Sequence, residues 1–147
     1  MTILTLDDIT VTITEDILNE VIEGDETILD TLELRALGEM TGYLSIRYDA
    51  ASCYDRTLIN PNPPTHNGYS AISTVLQYLV DIMLYHAHAR IMPDNVPELR
   101  EKRYKNAVSW LEKVADGFIA PALPVKSTEP STPLRYGNSS TSQNSYY

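Results

Sequence analysis

The side chains able to do chemistry in this 147-residue chain are three histidines, one cysteine and twenty carboxylates, and their spacing decides what they could do together. His86 and His88 stand two apart in a stretch that reads as helix, which turns them about 200° from each other. They cannot share a metal ion as an i,i+4 pair could. His86 falls near an apolar stripe and reads as a packed core histidine, and His66 sits in a loop without an acid cluster beside it. Cys53 stands alone, so neither an internal disulfide nor an all-cysteine metal site can form, and it reads as a half-buried small residue. The acids of the first forty residues spread over several helix faces. Asp30 and Glu33, about 60° apart, have no histidine or paired acid next to them, so they read as solvated surface. Phosphate-binding glycine loops, nucleophile elbows and zinc-binding helix motifs are missing, and only six glycines are available to build one. The expectation is a protein that is not an enzyme and carries no catalytic, metal or cofactor site.

Two arginines stand out from that solvated background. Arg47 and Arg100 each project at the angle of an apolar stripe, so each needs a carboxylate or carbonyl partner, or else lays its stem on the core with the head in water. Asp81 is the candidate carboxylate. We take Arg47, Asp81 and Arg100 as candidate structural charges.

The elements that position these residues follow from periodicity. Ile9, Val11 and Ile13 alternate with Thr10, Thr12 and Thr14, the period of a short strand. A lone strand pairs with the edge of a neighbouring subunit or partner, or else residues 1–13 form an extended arm on their own domain. Thr14 has the type and place of an N-cap for a short helix that Gly24 ends. A second helix is predicted over 28–48, capped by Asp25 or Thr27, with Leu29, Leu32, Ala36, Met40, Tyr43 and Leu44 on one stripe. Residues 49–68 contain Asn60-Pro61-Asn62-Pro63-Pro64 and Asn67-Gly68 and read as a long loop. A third helix is predicted over 69–91, with Thr74, Gln77, Asp81 and His88 opposite its apolar face. A fourth runs from Pro97 to Gly117 with Leu99, Arg100, Tyr104, Ala107, Leu111, Val114 and Phe118 on its buried side. From Ala120 the chain turns to Pro, Ser, Thr, Asn and Tyr, a composition that cannot supply a core. The fold class is therefore all-α: a bundle of about four helices over residues 14–119, between an extended N-terminal arm (1–13) and a long C-terminal arm (120–147).

Charge and hydropathy narrow the function classes. Net charge is −9, and residues 1–40 hold eleven acids against one arginine while the rest is nearly balanced. An acidic chain without a basic footprint argues against nucleic-acid binding as a primary task. No run approaches the roughly 18 apolar residues of a membrane helix, and the acidic N-terminus does not resemble a secretory signal, so a soluble, non-secreted protein is expected.

Three segments carry a family resemblance: Glu39-Met40-Thr41-Gly42-Tyr43-Leu44-Ser45-Ile46-Arg47-Tyr48; Leu79-Val80-Asp81-Ile82-Met83-Leu84-Tyr85 with Arg90 after it; and Pro97-Glu98-Leu99-Arg100-Glu101-Lys102-Arg103-Tyr104-Lys105-Asn106-Ala107-Val108-Ser109-Trp110-Leu111. In this order and spacing they resemble the head-to-tail adaptor (connector) proteins of tailed bacteriophages, including the Mu-like prophage group. The resemblance spans roughly residues 14–119. It implies a homo-oligomeric ring, commonly a dodecamer, at the virion neck. The ring would dock under the portal protein, extend the channel through which genomic DNA passes without specific binding, and carry the next neck or tail protein. It also implies a C-terminal arm reaching the portal or an adjacent subunit. On this view Ile9, Val11, Ile13, Leu134, Arg135, Tyr136, Tyr146 and Tyr147 are candidate partner or subunit contacts. The other reading of the same helices is a soluble helical interaction or regulatory protein.

Overall fold

The computed structural model describes residues 1–59 and 69–127. Its helices are α1 (Leu6–Thr10), α2 (Glu15–Ile22), α3 (Thr27–Leu44), α4 (Ala71–Ile91) and α5 (Glu98–Ala115), with short 3-10 turns at Ser52–Tyr54 and Arg56–Leu58. The all-α bundle expected from the periodicity is present.

The arrangement centres on α4. In 21 residues it carries only Asp81 and Arg90 as charged side chains apart from its two histidines, and a helix apolar on all sides must be surrounded. Helices α1, α2, α3 and α5 and both 3-10 turns pack on it, and α3 packs on α5 as well. The polar side assigned to this helix is thus present only in its first turn: Thr74 is exposed, Gln77 is half-buried, and Asp81 and His88 are buried. His88 meets its burial locally, its Nδ1–H donating to the Leu84 carbonyl one turn back (2.8 Å).

The possible strand at Ile9–Thr14 is helix and turn instead. Thr5 begins α1, its backbone N–H and hydroxyl both donating to the Asp8 carboxylate (2.6 and 2.7 Å). Ile9 in α1 and Ile13 in the turn that follows it, whose N–H donates to the Ile9 carbonyl (3.0 Å), are both buried, whereas Val11 between them is 84% exposed. In a strand all three would share a face; β-branched residues at i and i+4 satisfy both periods, and the capping acid selects the helix.

The second helix stops at Leu44, four residues before its predicted end, because the chain turns there for Tyr48 to pair with Val125 in an isolated antiparallel bridge. Asp49 N–H donates to the Pro124 carbonyl (2.9 Å), and Leu123 is buried. Packed structure therefore runs past residue 119, into the segment whose composition reads as tail. Along α5 the stripe holds for Ala107, Leu111 and Val114, but Leu99 in the first turn is 59% exposed and Phe118 is 83% exposed. Gly117 adopts the left-handed conformation (φ 78°) that ends the helix, which swings Phe118 out of the stripe.

Candidate functional site

The polar groups that the fold gathers are held by three carboxylates and one guanidinium pair. Glu33 on α3 is the first. Far from solvated surface, it is fully buried and accepts from the backbone N–H groups of Thr2 (2.6 Å), Ile3 (3.0 Å) and Leu4 (2.7 Å), and from the Thr2 hydroxyl (3.2 Å). Burial pushes its pKa up, but the donors of Leu4, Thr2 and Ile3 outweigh it and hold the carboxyl below its ordinary value. Asp30, one turn earlier, pairs with the terminal ammonium of Met1. Together they fix the N-terminal segment to its own domain.

Glu39, also on α3, joins three helices. Its Oε2 accepts from His86 Nε2 (2.9 Å) and its Oε1 from the Tyr104 hydroxyl (2.7 Å), and Tyr104 stacks on Tyr85 with ring centroids 4.0 Å apart. Burial and the carboxylate acceptor both push the Tyr104 phenol up, so it stays a donor at neutral pH. Beside this trio a cleft of about 550 Å³ opens between α3 and α4, lined among others by Arg35, Tyr85, His86 and Arg90. A nucleophile paired with His86 would make this a reaction centre. The partner of its Nε2 is instead the Glu39 carboxylate, an arrangement that ties helices together. Among the described residues no three of His, Cys, Asp or Glu converge as a metal site.

Asp81 faces α5, where its Oδ1 accepts from Arg103 Nη1 (3.1 Å). Arg100 instead donates from Nη2 to the Thr12 carbonyl (3.2 Å), while its Nη1 is shut off from solvent with no acceptor among the described residues. Burial first, then neighbouring Arg103, lower the Arg100 pKa, and Asp81 opposes them. Arg47 lies outside α3, exposed, with its guanidinium over Gly117, where an added Cβ would collide with it. The three structural charges thus do not form one site: Asp81 and Arg100 meet around Arg103, and Arg47 is at the other end of α5.

Of the candidate contact residues, Ile9 and Ile13 are buried in the chain's own core and Val11 is exposed. Leu134, Arg135, Tyr136, Tyr146 and Tyr147 lie outside the described residues. Cys53 is buried completely, and burial, with a smaller contribution from Asp49, pushes its thiol to about 11. Sequence reasoning missed Glu33, Glu39 and Arg103. For Glu33 a signal existed, since it falls one residue after Leu32 on the flank of the apolar stripe. For Glu39 and Arg103 the partners are 47 to 65 and 22 residues away, and periodicity along one helix does not reach them.

Residues 69–137 match the family model described as "Bacteriophage Mu, Gp36". No curated protein and no solved structure matches the chain significantly. The matched stretch is just under half of the chain and contains all of α4 and α5, the central helix and the one that bears Arg100 and Arg103. The similarity supports a bacteriophage structural or morphogenesis protein.

Proposed function

We propose that this chain is a structural subunit of the phage head-to-tail connector: a homo-oligomeric ring, of twelve copies in the arrangement the adaptor resemblance implies. In this reading it sits at the virion neck, docks under the portal, lengthens the DNA channel and offers its other face to the next neck or tail protein. The observation that carries the reading is the phage-family match over α4 and α5. Two features of the molecule support it. The groups able to do chemistry, Glu33, Glu39, His86 and Asp81, are engaged in holding the bundle together. Val11, Leu34, Ile46, Leu99 and Phe118 meanwhile stand exposed on a small domain, apolar area that neighbours in a ring could cover. The work of such a subunit resides in its surfaces, and no reaction is assigned to it. Its net charge of −9 suits a channel wall from which DNA slides without sticking.

Cryo-electron microscopy of virions carrying a tagged chain tests this, with the expectation of a ring of tag density between portal and tail. Tag density absent from the neck would remove the proposal. A neck ring with a basic lumen would remove only the repulsive-channel part.

A further inference from the structure

Phe118 is the one exposed aromatic side chain among the described residues, and the backbone holds it there. The left-handed Gly117 turns it out of the α5 stripe, and the Arg47 guanidinium lies against that glycine. Lys113 and Asp116 line the same shallow depression as the ring, and the Asp116 carboxylate has no hydrogen-bond or ion-pair partner among the described residues. The surface is thus an aromatic knob with an unpaired acid beside it.

The complementary shape lies in the first half of α3. The cleft of about 550 Å³ between α3 and α4 is lined by Ile28, Leu32 and Ala89, with the half-buried Tyr85 ring among them, and a cleft of that size accepts an aromatic ring. Arg90 bonds the Val21 carbonyl, just before α3, and His86 bonds Glu39, so α4 runs antiparallel to α3 and the two cleft arginines stand at opposite ends. Arg90 is engaged by Glu23 (3.0 Å) as well. Arg35 is exposed and has no hydrogen-bond or ion-pair partner among the described residues, so the cleft offers an unpaired cation beside apolar walls.

A chain cannot fill its own cleft with this knob. Gly117 lies against Arg47, beyond the end of α3 at Leu44, whereas the cleft reaches only as far along α3 as Arg35. From Arg35 to Leu44 the helix rises roughly 14 Å, farther than a phenylalanine side chain extends.

We propose that Phe118 of one copy seats in the α3–α4 cleft of the next, with Asp116 on Arg35. Aromatic side chains seated in pockets carry much of the free energy of protein interfaces, and the charge pair at the rim fixes the register. Knob and cleft are at opposite ends of α3, so the contact is head-to-tail and propagates, closing into a ring when the rotation permits. This rests on the connector reading and names the surfaces that would join its subunits.

Sedimentation velocity of the full chain over a range of concentrations tests the contact. Wild type should form species larger than a dimer. Phe118→Ser should weaken association roughly 30-fold or more, the loss of one aromatic anchor. Arg35→Glu should weaken it roughly 10-fold by setting like charges against each other. Both replace exposed side chains and should leave the melting temperature unchanged. Arg35→Glu combined with Asp116→Lys reverses the charge pair and should restore association to within about threefold of wild type, which a change without direct contact would not do. A wild type that stays monomeric at every concentration overturns the proposal, and so does association that stops at a dimer. A Phe118→Ser chain that associates normally, or a reversed pair that does not recover, overturns it as well. Association that survives Phe118→Ser but disappears on truncation after Ser127 assigns the interface to the C-terminal residues, with the same consequence. In each case a neck ring seen by microscopy leaves the connector reading standing, so the two failures are distinguishable.

Discussion

Glu33 shows how much one side chain can decide. A carboxylate fully buried among backbone N–H groups is an anion whose hydration shell has been replaced by fixed donors, and each such charge-assisted bond contributes more than a neutral one. Glu33→Gln keeps the shape but turns an NH2 toward those donors, and it should cost about 3 kcal/mol in urea unfolding. Hydrogen exchange should also lose protection at Ile3 and Leu4. The pH dependence follows from the sign of the shift. The folded pKa lies below the ordinary 4.5, so the contribution is complete above that value and is lost as pH falls through the depressed pKa. The stability gap between wild type and Glu33→Gln should therefore be constant at neutral pH and close on acidification. A gap that stays fixed into acid would show that Glu33 acts by packing alone.

Gly117 offers a second test at this scale. Its φ of 78° disfavours any side chain, and a Cβ would strike the Arg47 guanidinium. Gly117→Ala should destabilise by roughly 1 to 2 kcal/mol in thermal or urea unfolding. The double variant with Arg47→Ala should recover only the collision and not the backbone strain; full recovery would mean that the left-handed turn costs nothing.

Among the elements, α1 and α4 most changed their meaning on folding. The N-terminal alternation serves a helical turn, which separates Ile9 from Val11 by their surroundings although their chemistry is alike. Ile9→Ala should cost about 3 kcal/mol, as a large-to-small change in a packed core does, whereas Val11→Ser should stay within about 0.5 kcal/mol. Equal costs by calorimetry would argue for a strand with all three side chains on one face. On α4, the link through Glu39 joins three helices by one carboxylate. Tyr104→Phe should lose about 1 to 2 kcal/mol, the value of a hydrogen bond to a charged acceptor, with the ring stacking on Tyr85 retained.

For the whole molecule, the placement of the domain's end has practical consequences. Composition puts the boundary near Ala120, and a cut after Gly117 would then leave an intact bundle. The packing of Leu123 and the pairing of Tyr48 with Val125 say otherwise. Truncation after Gly117 should lower stability by about 2 kcal/mol or more, the burial of one leucine. A chain truncated after Ser127, which keeps Leu123 and Val125, should melt higher than one truncated after Gly117, and equal curves for the two truncations would put the boundary back at the earlier position. Cys53, buried and with its thiol raised to about 11, should react with thiol reagents only as fast as the chain opens. The outer surface carries the function proposed for this molecule.

The sequence by itself determined the all-α class, the extents of α2 and α4 to within about two residues, and the absence of a recognisable catalytic motif, because these depend on helical periodicity and on residue types read locally. The resemblance to phage adaptors rested on stretches largely within α3, α4 and α5, and the family match falls on the last two of these. Periodicity could not assign Ile9 and Ile13, since i and i+4 are in phase for both helix and strand. Nor could it show which acids are surface and which are structural. Glu33 reads like Asp30 until the N-terminal backbone lies across it, and Arg100 reads like Arg47 until Thr12, Asp81 and Arg103 surround it. Those distinctions arise from contacts between residues far apart in the chain. Only the tertiary structure decides how many donors and acceptors meet, and at Arg100 it leaves one donor without a partner among the described residues.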